Sequence, residues 1–503
     1  MQPMMPEASA PSQIQQLLQR RAWDAANDLR GSVDASDYKI YILPLLFFKR
    51  VSDIWDWEYQ RDAAEVGEEW LEDKPLSPRF NIPPGCHWSD VRQTVINQGH
   101  KLRQALTQIE AANPDSLQDI FGQADWANTE VLPEATLRKL IEDFSTLDLN
   151  PDQVPNEVLG QVYEFLLMQF ADLGGQHAEA FFTPTGVNRL LMRLLDPKEG
   201  ESVYDPACGA GGMLVEAINE IREFGGKAET MRVFGQEINL TTSAIARMNL
   251  FLHDFEEFEV RRGDTLRRPA FTTDTGALRT FDIVLSNPPY SVKNWGEESW
   301  AADPYGRANN GGVPPANNAD MAWLQHCLAS LKSDTGRAAV IMPHGPLFRG
   351  NREGKIRQWL IDSGYLDAVM DIPRTLFYRT SIPNSVWIMR TDRRRGDTIL
   401  LIDAVKQFIP NPTKQPKNAM SASDVEAIVE AYRTGVDVDK VRVRQVPVGE
   451  IKANGYDLNI GRYLGGAEEE KLDVDQCRTE LEDAVGRFQA RWAELAEMMG
   501  DLK

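Results

Sequence analysis

Asn287-Pro-Pro-Tyr290 sets an amide, two ring-locked backbone positions and an aromatic ring directly after the apolar run Ile283-Val-Leu285. The side-chain carbonyl of Asn287 and the main-chain carbonyl of Pro288 can each accept one N–H of an exocyclic amino group, provided that proline keeps the backbone rigid. An amine on a heteroaromatic ring is a poor nucleophile, because its lone pair is delocalised into the ring. Two acceptors draw that nitrogen toward a tetrahedral geometry and aim the lone pair outward. Tyr290 offers a flat face for the ring, and such stacking is worth about 1–3 kcal/mol. The plainer reading of the tetrapeptide is a proline-rich turn after a buried strand.

To work in this way the tetrapeptide must sit at the carboxyl end of a strand, where open α/β sheets bind ligands. The preceding run is apolar without alternation, as in a parallel strand buried on both faces. Other strand ends carry polar residues in the same manner. Ser202-Val-Tyr-Asp205 reads as a strand followed by a glycine-rich turn, in which Gly209, Gly211 and Gly212 let a cofactor approach the backbone at the start of a helix. Val233-Phe-Gly-Gln236 ends in Glu237, suited to both hydroxyls of a ribose. Phe258 to Arg261 leads to Gly263-Asp264, where Asp264 is suited to an adenine amino group. Four such ends in succession suit an adenosine cofactor. Upstream, Thr183-Pro184 opens a helix that runs through Leu195, and its free donors suit a carboxylate or simply cap the helix. Further strands are expected at Arg337 to Met342, Leu366 to Asp371, Ser385 to Met389 and Thr398 to Ile402.

The first 150 or so residues read as helical, with an apolar helix from Tyr38 to Asp53 and further segments around Trp88 to Ala111 and Thr136 to Phe144. The turn-rich stretch Leu147 to Pro155 marks a boundary. The expected division is 1–150, a helical domain; 151–408, an α/β catalytic domain; and 409–503, a linker with a helical tail. The tail holds an amphipathic helix from about Glu468 to Met499, with Leu481, Val485, Phe488, Trp492 and Leu495 on one stripe.

The 503-residue chain carries a net charge of −21, so its whole surface is not a nucleic-acid footprint and any such contact is local or made by a partner. Basic clusters occur at Arg261-Arg262, Arg267-Arg268, Arg349 to Arg357 and Arg393-Arg394-Arg395. The longest apolar run, Ile40 to Phe48, contains Pro44 and is far short of a membrane span. The start of the chain lacks a secretory pattern, and the 4 cysteines and 6 histidines form no metal-type cluster. The expectations are a reducing cytoplasm, no membrane and no metal.

Together, Trp23-Asp-Ala-Ala-Asn-Asp-Leu-Arg30, Leu45 to Asp53, Phe182-Thr-Pro-Thr185, Asp205-Pro-Ala-Cys-Gly-Ala-Gly-Gly212, Asn287 to Tyr290 and Asn454-Gly-Tyr-Asp-Leu-Asn459 resemble the modification subunit of Type I restriction-modification systems. The resemblance implies a Rossmann-like sheet that uses S-adenosylmethionine to methylate the exocyclic amine of adenine in DNA. It implies that Thr183 meets the methionine carboxylate and that Asp205 with Gly209 lines the methionine part, Ala207 and Gly211 completing that turn. Glu237 would hold the ribose, Asp264 the adenine amino group, and Asn287, Pro288 and Tyr290 the target base. Phe377 would be a second aromatic wall, or else a plain core side chain. The family commonly has Phe where this chain has Tyr290.

The implied partners are DNA, a separate specificity subunit, a second copy of the modification subunit and, in a full assembly, a restriction subunit. The terminal helix suits docking to such a partner, and the loop from Asn294 to Asn318 is expected to order on DNA. Two other readings stay open at this stage. One is a protein-glutamine methyltransferase, whose amide nitrogen poses the same lone-pair problem. The other is a non-catalytic assembly subunit.

Overall fold

The computed structural model describes residues 12–71, 74–173, 183–377, 382–411 and 416–465. The expected terminal helix from Glu468 to Met499 lies outside the described residues.

The helical region comprises α1 (Gln13–Asn27), α2 (Tyr38–Val66), α3 (Trp88–Gln93), α4 (Gln98–Ala112) and α5 (Glu134–Ser145). α2 continues well past the expected Asp53, with Pro44 inside its second turn. The stretch from Trp88 to Ala111 is two helices, because Asn97 adopts a left-handed φ of 57° and breaks the ladder. α6 (Asn156–Leu173) follows the boundary segment. Buried Arg50 on α2 holds that segment by donating to the carbonyls of Leu149 and Val154.

Then the alternation begins: α7 (Thr185–Leu195), β1 (Ser202–Asp205), α8 (Gly212–Glu223), β2 (Arg232–Glu237), α9 (Leu240–Leu252), β3 (Phe258–Arg262) and β4 (Ile283–Ser286). After α10 (Glu297–Trp300) and α11 (Asp320–Ala329) come β5 (Arg337–Pro343), α12 (Gly345–Phe348), α13 (Asn351–Asp362), β6 (Leu366–Asp371), β7 (Asn384–Arg390) and β8 (Thr398–Asp403). A short hairpin, β9 (Ile409–Pro410) with β10 (Asn418–Ala419), precedes α14 (Ala422–Thr434), β11 (Arg442–Pro447), α15 (Val448–Ala453) and α16 (Ile460–Leu464).

Nine strands form one sheet in the order β3-β2-β1-β4-β5-β7-β6-β8-β11, parallel except for β7 and β11. Side chains alternate between its two faces as a pleated strand requires. Val203, Ile283, Leu285 and Ile341 join one apolar cluster, whereas Tyr204, Val284 and Val340 join the other. α7, α8 and α14 cover the first face, and α11, α13 and α16 the second. α9 is apolar on two sides. Ala246 and Leu250 pack on the sheet, while Ile245, Met248 and Phe251 join the cluster of the helical region. The sheet does not stop at residue 408, because β11 pairs along the whole of β8.

The chain leaves β1 toward β2 and β3 and then returns to β4 on the other side of β1. The carboxyl ends of β1 and β4 therefore flank a topological switch point, where a crevice opens.

Candidate active site

Hydrogen bonds lock the strand ends around this crevice. The Ser286 hydroxyl, the last residue of β4, donates to Asp205 Oδ1 at the end of β1 (3.2 Å), and the Ala207 N–H donates to the same oxygen (3.0 Å). Asp205 is only 2% exposed, and burial pushes its carboxyl up to about 7, with the nearby Glu237 charge adding to the rise. Glu237 closes β2. Its Oε2 accepts the Gly209 N–H (3.1 Å) and its Oε1 the Asn239 N–H (2.8 Å), while burial raises its pKa.

The glycine turn needs its glycines. Gly209 and Gly211 have φ of +52° and +79°, and a Cβ on Gly211 would lie 3.3 Å from Ala246 Cβ on α9. The Thr265 hydroxyl braces the turn from the far side by donating to the Pro206 carbonyl (2.6 Å).

A cleft lined by Thr183, Asp205, Ala207, Gly209 and Asn287 opens at this point, enclosing about 530 Å³ with its mouth included. Thr183 immediately precedes α7 in space as in sequence, and its Oγ1 lies 3.0 Å from Asn287 Nδ2. The Tyr290 hydroxyl donates to Asn287 Oδ1 (2.9 Å). Pro288 is buried, while Asn287 and Tyr290 are half-buried.

Two expected residues sit differently. Asp264 uses Oδ1 to accept the N–H groups of Leu266 and Arg267 (both 3.1 Å), capping its own turn, and lies outside the lining of the cleft. Phe377 is 4% exposed within the apolar cluster against which Tyr290 packs.

The loop after Tyr290 packs around a small apolar cluster of its own. Trp295 and Trp300 are buried edge to face, their ring centres 4.9 Å apart. Arg307 stacks over Trp300 (4.2 Å), pairs with Asp303 (2.8 Å) and donates to the Leu266 carbonyl (3.0 Å). A desolvated aromatic–guanidinium centre of this kind holds the loop together.

Several cleft residues escaped the sequence reading. Asn188 on α7 and Asn249 on α9 line it, and each has a buried side-chain oxygen with no hydrogen-bond partner. Glu164 on α6 also lines it, its carboxyl pushed up to about 7 by burial, with His253 Nε2 3.6 Å away. Polar residues on an otherwise apolar helix face were the available signal. Ile238, directly after Glu237, is 62% exposed. Beyond Tyr290, a groove between the loop and α12–α13 is lined by Lys293, Phe348, Arg349 and Arg352, with Phe348 54% exposed.

A sheet of this order with an Asn-Pro-Pro-Tyr turn at its switch point defines an amino-directed methyltransferase. The family model described as N-6 DNA Methylase matches residues 154–472, and that of the HsdM N-terminal domain matches residues 18–144. The chain therefore belongs to the N-6 DNA methylase family. It is a DNA adenine methyltransferase of the Type I methylase-subunit kind.

The Type I restriction enzyme HindI methylase subunit of Haemophilus influenzae is 30% identical, over 84% of this chain and 98% of that one. The MpnII methylase subunit of Mycoplasma pneumoniae is 27% identical over 97% of this chain and 96% of its own length. Among solved structures, the type I restriction-modification methyltransferase subunit from Streptococcus thermophilus superposes with a TM-score of 0.76 at 30% identity, covering 90% of this chain and 99% of that one. These matches leave the glutamine-methyltransferase reading without support, because both the helical region and the catalytic sheet fall within DNA methylase models.

Proposed function

We propose that this chain transfers the methyl group of S-adenosylmethionine to the exocyclic nitrogen of an adenine rotated out of duplex DNA, working beside a separate specificity subunit. The single observation that carries the reading is the 3.0 Å between Asn287 Nδ2 and Thr183 Oγ1. It joins an amide suited to hold an amine to the rim of the glycine-turn cleft.

The cleft's own residues fit the cofactor. Its backbone is open at Gly209, and two unpartnered amide oxygens, of Asn188 and Asn249, are available to donors. When bound, the cofactor supplies a methyl group already activated by a positively charged sulfur. The Thr183 hydroxyl meets its carboxylate, and Asp205, with Glu164 nearby, balances its ammonium group. Glu237 accepts from the ribose hydroxyls with its remaining lone pairs. Ile238 packs on the adenine ring, and Asp264 Oδ2 takes its amino group.

On the substrate side, the Asn287 and Pro288 carbonyls hold the target amine in line with the methyl group, and orientation is the chief contribution. The Tyr290 hydroxyl leaves Asn287 Oδ1 as the amine arrives, and its ring stacks on the base. Phe377, in the cluster on which Tyr290 packs, is the proposed second wall. Rotating the base out costs a few kcal/mol of stacking. The groove with Lys293, Arg349, Arg352 and the exposed Phe348 lies just past Tyr290 and receives the duplex.

A specificity subunit, a second copy of this chain and, in the full complex, a restriction subunit complete the assembly. The support is that relatives matching most of this chain are subunits of Type I restriction enzymes, and that a net charge of −21 suits delegated sequence reading. The test is methyl transfer from labelled S-adenosylmethionine to duplex DNA, with and without the specificity subunit. Label recovered as 6-methyladenine only with the partner supports the reading. Label on protein, or on DNA without the partner, rejects it.

A further inference from the structure

Asn287 lies in a hydrogen-bonded chain that can run in either direction. Its Nδ2 is 3.0 Å from Thr183 Oγ1 and its Oδ1 is 2.9 Å from the Tyr290 hydroxyl. Both neighbours are hydroxyls, each able to donate and to accept. Turning the amide by half a rotation exchanges its ends. Thr183 then donates to the carbonyl, and the amide NH₂ donates to Tyr290. Both distances suit an O–H···O or an N–H···O bond, so protein contacts alone leave the two directions close in energy.

The two directions are not equivalent for the substrate. With Nδ2 toward Thr183, the carbonyl faces the position of the target amine and accepts from it. With the amide reversed, NH₂ meets NH₂, and a buried donor without an acceptor is costly. Whatever engages the single proton of Thr183 decides between them. Thr183 lines the cleft with Asp205 and Gly209, and its main-chain carbonyl is fixed by a hydrogen bond from Asn188 Nδ2 (3.2 Å). A carboxylate has no proton to give, so it takes the one on Thr183. Thr183 is then able only to accept from Asn287.

We propose that Thr183 is a positioning residue for Asn287: when its hydroxyl donates to the carboxylate of the bound cofactor, it turns the Asn287 carbonyl toward the target amine, so that cofactor binding prepares the base acceptor. This rests on the reading above, in which Thr183 meets the methionine carboxylate. The cofactor carboxylate thereby raises affinity for DNA that presents an amine, without touching the DNA.

The experiment uses the chain in complex with its specificity subunit. DNA bearing the recognition site is titrated onto complex saturated with S-adenosylhomocysteine or with its decarboxylated analogue, neither of which can donate a methyl group. Saturation by each is measured first. The carboxylate-bearing ligand is expected to tighten DNA binding by about tenfold relative to the analogue, the scale of one buried hydrogen bond made or denied. The difference should vanish when the target adenine is replaced by purine, which lacks the amine. It should also vanish in Thr183→Val and return in Thr183→Ser. Equal DNA affinity with the two saturating ligands, or a difference that persists with purine, overturns the proposal while leaving the cofactor site intact. Failure of S-adenosylhomocysteine to bind at all overturns the cofactor reading itself. The wild-type comparison with purine decides the matter even if Thr183→Val does not fold.

Discussion

Glu237 Oε2 at the end of β2 accepts the Gly209 N–H from the glycine turn at a distance of 3.1 Å. One carboxylate thus fixes the shape of the turn from behind the cleft lining, and the proposed ribose contact rests on its remaining lone pairs. A hydrogen bond to a charged group is worth about 1.5–3 kcal/mol. Glu237→Ala is therefore expected to weaken S-adenosylhomocysteine binding by about tenfold to a hundredfold. Calorimetric titration checks this, and an unchanged dissociation constant would remove Glu237 from the site.

With Asp205 facing the cofactor's ammonium group as proposed, cofactor affinity is expected to depend on pH. Burial pushes the Asp205 carboxyl up to about 7, and Glu164 on the same cleft is also pushed up to about 7. An ammonium-bearing ligand favours the carboxylate, so binding lowers these pKa values and releases protons below neutrality. Affinity is complete above that value and falls as pH drops through it, by up to about tenfold per unit for each such group. Titrations of S-adenosylhomocysteine between about pH 8 and about pH 6 in buffers of different ionisation heat should show proton release. Asp205→Asn should flatten the slope, whereas affinity that rises toward acid would contradict the assignment.

Arg307 holds the loop after Tyr290 in its folded form. It is 1% exposed and shares its charge with Asp303 and the face of Trp300. Arg307→Ala leaves Asp303 buried without a counter-charge, which is expected to cost about 3–5 kcal/mol. Thermal denaturation should register the loss, and limited proteolysis should cut between Trp295 and Asn318 in the variant while sparing the parent.

Phe348 offers a test of the DNA path. Its side chain is 54% exposed, so Phe348→Ala should alter stability by no more than about 0.5 kcal/mol. If the ring stacks on DNA, affinity for duplex should fall by about 1–3 kcal/mol. Fluorescence anisotropy with labelled duplex reads this directly. Parental affinity in the variant would move the DNA away from this groove.

Of the eight strands up to β8, β4 to β8 were legible from apolar runs of three or more residues, and β1 to β3 from shorter apolar stretches that end in polar or glycine-bearing turns. β11 was not, since Arg442-Val-Arg-Gln-Val-Pro447 alternates charge with valine at a half-exposed edge and shows no apolar run. The insertion of β7 between β5 and β6 is a pairing choice that no local pattern reveals. At the site, residues on strand ends and tight turns stood out because their types are unusual there. Glu164, Asn188 and Asn249 were hidden on helices whose periodicity speaks for the core. The packing of the loop from Asn294 to Asn318 was hidden behind its glycines, asparagines and prolines, because it comes from Trp295, Trp300 and Arg307 meeting across the chain.

In the proposed mechanism Asn287 holds the target amine and does not hold the cofactor. The most direct measurement is single-turnover methylation of site-bearing DNA by the complex with its specificity subunit, comparing the parent with Asn287→Ala. S-adenosylhomocysteine affinity is measured on the same preparations. In the variant, 6-methyladenine formation is expected to fall by at least about a hundredfold, the scale of removing one hydrogen-bonding group at a reacting centre, while the cofactor still binds. Methylation at the parental rate in Asn287→Ala would contradict it.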